Sequence, residues 1–407
     1  MSETSGEAPQ VLRHRPFVLF WTSRVLSTLC MQMLAVAVGW QLYALTGRAL
    51  DLGLVGLVQF IPVLVLTLPA GWLADRGDRR LVVACCQGSV AVLAALLAVG
   101  TLRGWLGREA MFLLIGLIGC ARAVEAPNMA SLLPGLVPRA LFPRAAAWSA
   151  SATQTAQILG PALGGLLYAL GPQAAYGTAA MLLLVGGAAA FAIRPPRRAP
   201  GAERPGFAGL LEGFGFVLRH RLVLGAISLD LFAVLLGGAV ALMPIFARDI
   251  LGTGPAGLGM LRAAPAVGAL ATSVWLANRP LRAPVGPRMF AALGAFGLAT
   301  VVFALSGNLA LSCLALAVVG AADVVSVVVR SSLVQLRTPD EMRGRVSAVN
   351  SLFVGASNQL GDFRAGSVAA LLGAVPAAVL GGIGTLLVAA LFMRLFPELR
   401  RLERLEG

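Results

Sequence analysis

GWLADRGDRR, Gly71 to Arg80, is the most polar stretch in the first half of the chain, and long apolar runs flank it on both sides. Its Trp72-Leu73-Ala74-Asp75-Arg76 core returns later as Trp275-Leu276-Ala277-Asn278-Arg279. Other pairs return in the same order. His14-Arg15 recurs as His220-Arg221, Pro62 as Pro265, Pro138 as Pro339, Arg144 as Arg345, Gly160 as Gly361 and Gly165 as Gly366. A single dipeptide recurs by chance, but so many in one order mark a duplicated unit.

Composition says what kind of unit it is. The chain is 58% hydrophobic and 12% charged, against roughly 25% charged residues in a soluble domain. It reads as an integral membrane protein. The net charge of +14 comes entirely from arginine. These arginines sit between apolar spans, so they read as topology signals and not as a nucleic-acid surface. Cys30, Cys85, Cys86, Cys120 and Cys313 all fall inside apolar runs and read as small buried hydrophobes. Residues 1–16 are polar and the next run is long enough to span, so no cleavable signal peptide is expected.

A bilayer core requires about 20 apolar helical residues. Twelve runs qualify: 17–45, 52–73, 81–102, 110–136, 146–170, 173–193, 222–247, 256–277, 288–307, 309–336, 344–373 and 376–396. Most arginines fall in the loop set that includes both tails, and only Arg48, Arg103, Arg108 and Arg248 fall in the other set. The positive-inside rule then puts both termini in the cytoplasm, in agreement with an even number of spans. Residues 194–221 are Pro/Arg-rich and then amphipathic, which suits a linker with a short helix on the membrane face. The expected architecture is all-α: two pseudo-symmetric six-helix bundles, 1–193 and 222–407, joined by 194–221. Parallel repeats of this kind place a substrate site near the midplane at their interface, with alternating access by rocking.

The chain resembles the major facilitator superfamily of transporters over essentially its whole length. GWLADRGDRR is similar to that superfamily's loop signature, with Asp78 where a second glycine is usual. Arg122, in CARAVEAPN, resembles its fourth-helix arginine, and Glu125 stands where a neutral polar residue is usual. GPALGG, with Gly160, Pro161, Gly164 and Gly165, resembles the antiporter signature of exporters, although Ala156 replaces an upstream glycine. FWTSRVLSTLCMQMLAVAVGWQLYALTG and RGRVSAVNSLFVGASNQLGDFRAG are similar to a subgroup of siderophore and drug efflux proteins. The resemblance implies export of a siderophore-like or drug-like small molecule from a bacterial inner membrane, by proton antiport. The partners it implies are that substrate, protons and lipid, in a monomer with no cofactor. Import by the same fold, and a scaffold or receptor that does not transport, remain open alternatives.

A charge at bilayer depth is costly, so each one is a functional candidate. The repeat maps Arg24 onto Asp230 and Arg122 onto Asp323, a base in one half against an acid in the other. In the superfamily these spans line the central cavity. The acids are then either titratable carriers of the proton or static partners of Arg24 and Arg122 across that cavity. Glu125 follows Arg122 by three residues and shares its helix face, either as a neutralising pair or as a proton carrier. Asp362 occupies the place equivalent to Pro161, two residues from Arg364 and on a different face. Arg330 either snorkels to the interface or faces the cavity, and Arg262 is the counterpart of Gln59. Trp21, Met31, Met33, Gln59, Arg262, Arg330 and Asn358 are candidate substrate contacts, along with Trp40, Phe232 and Met243, though a Met or aromatic in a membrane helix more often packs. GPALGG reads either as packing or as a sliding surface between the halves.

Several chemistries lack their residues. There is no GxxxxGK[ST] loop for nucleotide hydrolysis, no Cys/His spacing for zinc, and no histidine near the midplane to serve a nucleophile. The chain does not read as an enzyme. At the opening stretch, Asp75 sits at a helix C-terminus, where the helix dipole disfavours an acid. The superfamily arrangement implies a partner, the positive N-terminus of the eleventh span near Arg345. Asp75 then latches the halves at the cytoplasmic side, and on one side only, because its twin is the neutral Asn278. Gly71, Arg76, Arg79, Arg80 and Arg345 complete this candidate gate, in which Arg76, Arg79 and Arg80 fix topology and pair with Asp75 or lipid phosphates; the alternative is a plain positive-inside turn, which accounts for the arginines but not for Asp75.

Overall fold

A computed structural model describes residues 11–76, 78–194, 207–279 and 284–403. Among the described residues the chain is helical and contains no strand. The helices are α1 Arg15–Thr46, α2 Ala49–Arg76, α3 Arg79–Arg103, α4 Arg108–Leu132, α5 Phe142–Leu170, α6 Pro172–Phe191, α7 Phe207–Arg219, α8 Arg221–Gly237, α9 Gly254–Asn278, α10 Val285–Leu305, α11 Leu309–Arg337, α12 Asp340–Leu372 and α13 Ala374–Leu395. A short helix, Pro397–Arg400, follows.

Ten segments among the described residues are long and apolar enough to cross a membrane. α5 and α12, at 29 and 33 residues, are longer than most of these but more polar. Arg144, Ser149, Thr153 and Gln157 dilute one, and Asn350, Asn358, Asp362 and Arg364 dilute the other. Large apolar side chains stand bare on the outer surfaces: Leu371 is 85% exposed, Leu170 75% and Met181 69%. Hydrocarbon is the solvent that such a surface fits.

Local sequence explains where the helices start and stop. Asp78 is the N-cap of α3 and accepts a hydrogen bond from the backbone of Arg80. Asn308 caps α11 through the amides of Ala310 and Leu311. Prolines open α5, α6 and α9, where a missing N–H costs nothing. α3 ends at Gly104, whose φ of +73° lies in the left-handed region that suits glycine.

The chain forms two compact units. The first comprises 1–45 and 58–203, the second 46–57 and 204–407. The first packs Phe17, Phe20, Val83, Met129, Leu132 and Ile193 into one core. The second is centred on Leu229, Met289, Phe290, Leu333, Val388 and Phe392. α7 belongs to the second unit. Its Val217 joins a smaller core with Val223, Val334 and Val346, and its Phe214 stacks on Phe353 at 6.1 Å.

One expected span is not a continuous helix. The run 222–247 divides: α8 stops at Gly237, a 3-10 turn covers Val240–Leu242, and a π turn closes the run at Phe246–Ile250. The Gly237-Gly238 pair gives this position little resistance to unwinding.

Candidate functional site

In the first unit, a polar cluster sits inside the membrane helices. Glu125 of α4 is 2% exposed. One carboxylate oxygen accepts from Ser27 Oγ at 2.7 Å and from Gln87 Nε2 at 2.9 Å. The other accepts from Arg122 Nη1 at 2.8 Å. Ser23 Oγ donates to Gln87 Oε1 at 3.2 Å, and Arg122 Nη1 also donates to Ser27 Oγ at 3.1 Å. α1, α3 and α4 are thus tied together by one buried acid. α6 makes room for Gln87, since a Cβ at Gly186 would lie 2.9 Å from Gln87 Oε1. Arg24 stands apart, donating from Nε to Thr153 Oγ1 at 3.3 Å.

In the second unit the acids are arranged differently. Asp230 of α8 and Arg330 of α11 form an ion pair at 2.8 Å, with side chains only 6% and 5% exposed. Arg330 also donates to Asn350 Oδ1 at 3.2 Å. Asp323, two turns along α11, has Asp230 and Arg330 as its charged neighbours. Asp230 and Asp323 line one small cavity with Ser326, Ala322, Leu293 and Phe296. Its volume is about 10 Å³, near the lower limit for one water molecule. Two carboxylates line this cavity, and the one in contact with the guanidinium is Asp230.

The arginines set against Asp230 and Asp323 by the repeat have contacts within their own unit: Arg122 pairs with Glu125, and Arg24 bonds Thr153. Asp230 takes its charge from Arg330, within its own unit. Arg330 therefore turns inward and does not snorkel. A guanidinium that stays in the apolar interior must find a carboxylate, and the one across from it is Asp230.

A second cluster surrounds the break after α8. The backbone N–H of Ala241 donates to Asp362, and Arg262 lies within electrostatic reach of that acid. Arg364 donates from Nη2 to Gly238 O at 3.5 Å. As the spacing implied, Asp362 and Arg364 face different partners.

The other expected residues fall as follows. Gly160 and Gly164 pack α5 against α1: a Cβ would lie 2.6 Å from Gln32 Cβ in the first case and 2.8 Å from Met33 Cα in the second. Pro161 and Gly165 are buried in the same helix. GPALGG is therefore a close helix contact inside the first unit. Met33 is 1% exposed, and its backbone lies against Gly164. Trp21, Met31 and Gln59 are half-buried, and Trp21 Nε1 donates to Trp148 O at 3.4 Å. Asn358 is exposed and bonds Val354 O.

Part of the opening stretch can be placed. Arg79 Nη1 donates to Ser131 O at 3.1 Å and Arg80 Nη1 to Ile193 O at 2.8 Å, so both arginines serve carbonyls at or just past the ends of α4 and α6. Asp78, the departure from the superfamily pattern, pairs with Arg80 at 2.9 Å. The side chains of Gly71–Arg76, Asp75 among them, lie outside the described residues. Arg345 pairs with Glu212 of α7.

Sequence reading missed Ser23, Ser27 and Gln87, since uncharged polar residues gave no alarm in a run of small residues. It also missed the helix break, for which Gly237-Gly238 followed by Pro244 was the available signal.

Duplicated bundles of membrane helices with charges held in their interiors are the architecture of a major facilitator transporter. The chain belongs to the transmembrane secretion effector family, whose model matches residues 4–406. It is 28% identical over 399 residues to the enterobactin exporter EntS of Escherichia coli O1:K1, covering 95% of this chain and 93% of that protein. It is 29% identical over 406 residues to the EntS of Citrobacter koseri, with the same coverage. Its fold matches a bacterial homolog of the human lysosomal transporter Spinster in an inward-facing, occupied conformation. That match has a TM-score of 0.75 at 12% identity and covers 97% of this chain and 99% of that one. A bacterial homologue of the iron transporter ferroportin gives 0.68 at 18% identity, covering 94% and 98%. The chain is a multi-pass membrane transporter.

Proposed function

We propose that the chain exports a siderophore-like small molecule from the cytoplasm across a bacterial inner membrane, by alternating access and in exchange for protons. Both termini are then cytoplasmic, and the chain works as a monomer in lipid. Support for export comes from the family and from relatives named as enterobactin exporters.

Support for proton exchange comes from one observation: Asp323 lines the same water-sized cavity as Asp230, whose carboxylate is paired with Arg330. Two carboxylates against one guanidinium leave one negative charge over inside the membrane, where it is costly. A proton is the smallest group that cancels it. Protonation frees Arg330 to hold one acid alone, and deprotonation restores the competition. That exchange of partners between α8 and α11 is the coupling step. Glu125 has a different role. Three donors from three helices hold its carboxylate, so it serves as a structural pin.

The test is counterflow of enterobactin in proteoliposomes of fixed orientation. Accumulation through the cytoplasmic face, stimulated by an acidic opposite side, is expected. Accumulation only through the opposite face would make the chain an importer, and no counterflow of any siderophore would remove the substrate class.

A further inference from the structure

We propose that the groove between the start of α1 and the end of α6 is a headgroup site for an anionic phospholipid, held by Arg15 and Arg194. The proposal rests on the transporter reading above only for the leaflet that supplies the lipid, the cytoplasmic one.

Both helices are long and apolar enough to span a membrane, and they meet at one end. Phe17 and Phe20 of α1 share a buried core with Ala190 and Ile193. Beside that core lies a cavity of about 270 Å³, lined by Arg15, Pro16, Leu19, Ala192 and Arg194. Small-molecule pockets begin at about 300 Å³, so a headgroup fits while its acyl chains stay in the bilayer. Arg15 and Arg194 are exposed, and among the described residues neither has an ion-pair partner. Arg80 reaches the same stretch by donating to Ile193 O, but it brings its own acid, Asp78.

The duplicated unit shows the same place filled by the chain itself. The repeat sets Arg15 and Leu19 of α1 against Arg221 and Gly225 of α8. Ala192 is the C-cap of α6 and Phe396 that of α13, and two residues past these caps stand Arg194 and Glu398. In the second unit Arg221 pairs with Glu398 at 3.9 Å. Phe396 packs on Gly225, where a Cβ would lie 2.8 Å from its ring. That unit therefore supplies an anion and a bulky apolar group from its own residues. The first unit has a second arginine in place of the acid and an alanine in place of the ring. What its groove lacks is an anion attached to an apolar body, and at a membrane boundary that is a negatively charged phospholipid. Guanidinium presents a fork of donors that matches phosphate oxygens, and basic pockets between membrane helices on the cytoplasmic side hold anionic headgroups. Topology alone calls for arginines on this face, not for two on one cavity.

The test uses the full-length protein in neutral detergent and a phosphatidylglycerol with a photoactivatable diazirine near its ester carbonyls, the crosslinks being mapped by mass spectrometry. Labelling within 15–19 and 190–194 is expected. Unlabelled phosphatidylglycerol should displace the probe there at a concentration about tenfold lower than phosphatidylcholine, and inorganic phosphate should not displace it. Arg194→Gln should weaken phosphatidylglycerol binding about tenfold, which is about 1.4 kcal/mol. Arg194→Glu gives Arg15 the kind of partner that Arg221 has, and should abolish labelling with the thermal midpoint retained, a result that misfolding does not mimic. Arg221→Gln, at the twin position, should leave labelling unchanged. Equal competition by phosphatidylcholine, full labelling in Arg194→Glu, or equal loss in Arg221→Gln would overturn the proposal. Displacement by inorganic phosphate would make this a free-anion site. Labelling only after removal of residues 2–10 would make that segment, with Glu3 and Glu7, the occupant. Either result overturns the lipid assignment. The assay holds no gradient and no transported substrate, so its failure leaves the exporter reading standing, and failed counterflow leaves the lipid site standing.

Discussion

Replacing Glu125 with glutamine is expected to weaken the first unit and leave proton coupling intact. The wild-type carboxylate accepts three hydrogen bonds between 2.7 and 2.9 Å, from Ser27, Gln87 and Arg122. Glutamine keeps one oxygen for Ser27 and Gln87, but it turns an amide NH₂ toward Arg122, donor against donor. A hydrogen bond to a charged group contributes about 1.5–3 kcal/mol in water-soluble proteins. Interhelical bonds in membranes average about 0.6 and reach about 1.7 kcal/mol, because the separated helices also find partners. Arg122 is also 34% exposed and retains some solvation of its own. The lower figures therefore apply, and Glu125→Gln should cost about 1–2 kcal/mol. Glu125→Leu removes all three acceptor contacts and should cost about 2–4 kcal/mol. The assay is reversible unfolding in mixed micelles, with a double-mutant cycle against Arg122→Gln. A coupling energy of about 1 kcal/mol is expected for a pair in contact. If Glu125→Gln is as stable as the wild type but no longer couples efflux to protons, Glu125 is the carrier and the division of roles between the units is wrong.

Other expectations follow from single contacts. Asp78→Ala removes the N-cap of α3 and the partner of Arg80, and should cost about 1 kcal/mol in the same unfolding assay; an unchanged midpoint would count against capping. Gly164→Val places methyl groups beyond a Cβ that would itself lie 2.8 Å from the backbone of Met33, and should lower stability by about 1–3 kcal/mol of overpacking or abolish folding. A fully stable Gly164→Val protein would mean that α1 and α5 do not touch there. Glu212→Arg sets like charges together at Arg345 and should make 207–219 more open to chymotrypsin; unchanged cleavage would show that Phe214 and Val217 alone hold α7.

The fold was legible because two strong signals agreed. Apolar runs of spanning length marked the helices, and the repeat of His14-Arg15, Trp72–Arg76 and Gly160 divided them into halves. The pairing of Arg122 with Glu125 was legible too, since a spacing of three residues puts both on one helix face. The partner of Asp230 was not. Arg330 is far away in sequence, and only the packing of α8 on α11 brings it to 2.8 Å. A repeat shows which positions are equivalent, and equivalent positions need not be partners. The break after Gly237 was hidden for another reason: hydropathy stays high through 222–247, and it measures whether a segment is apolar, not whether it is continuous. Asp78 looked like a defect in a motif, but it caps α3 and holds Arg80 at the end of α6.

The central claim is that the acids of the second unit couple export to protons, and proton flux tests it most directly. Proteoliposomes with the cytoplasmic face outward and a pH dye inside should turn alkaline in the lumen when enterobactin is offered outside, because protons leave as the substrate enters. Asp323→Asn should retain enterobactin counterflow, which needs no net proton movement, and lose the substrate-driven pH change. Full pH change in both Asp323→Asn and Asp230→Asn, at normal protein levels and orientation, would contradict the account.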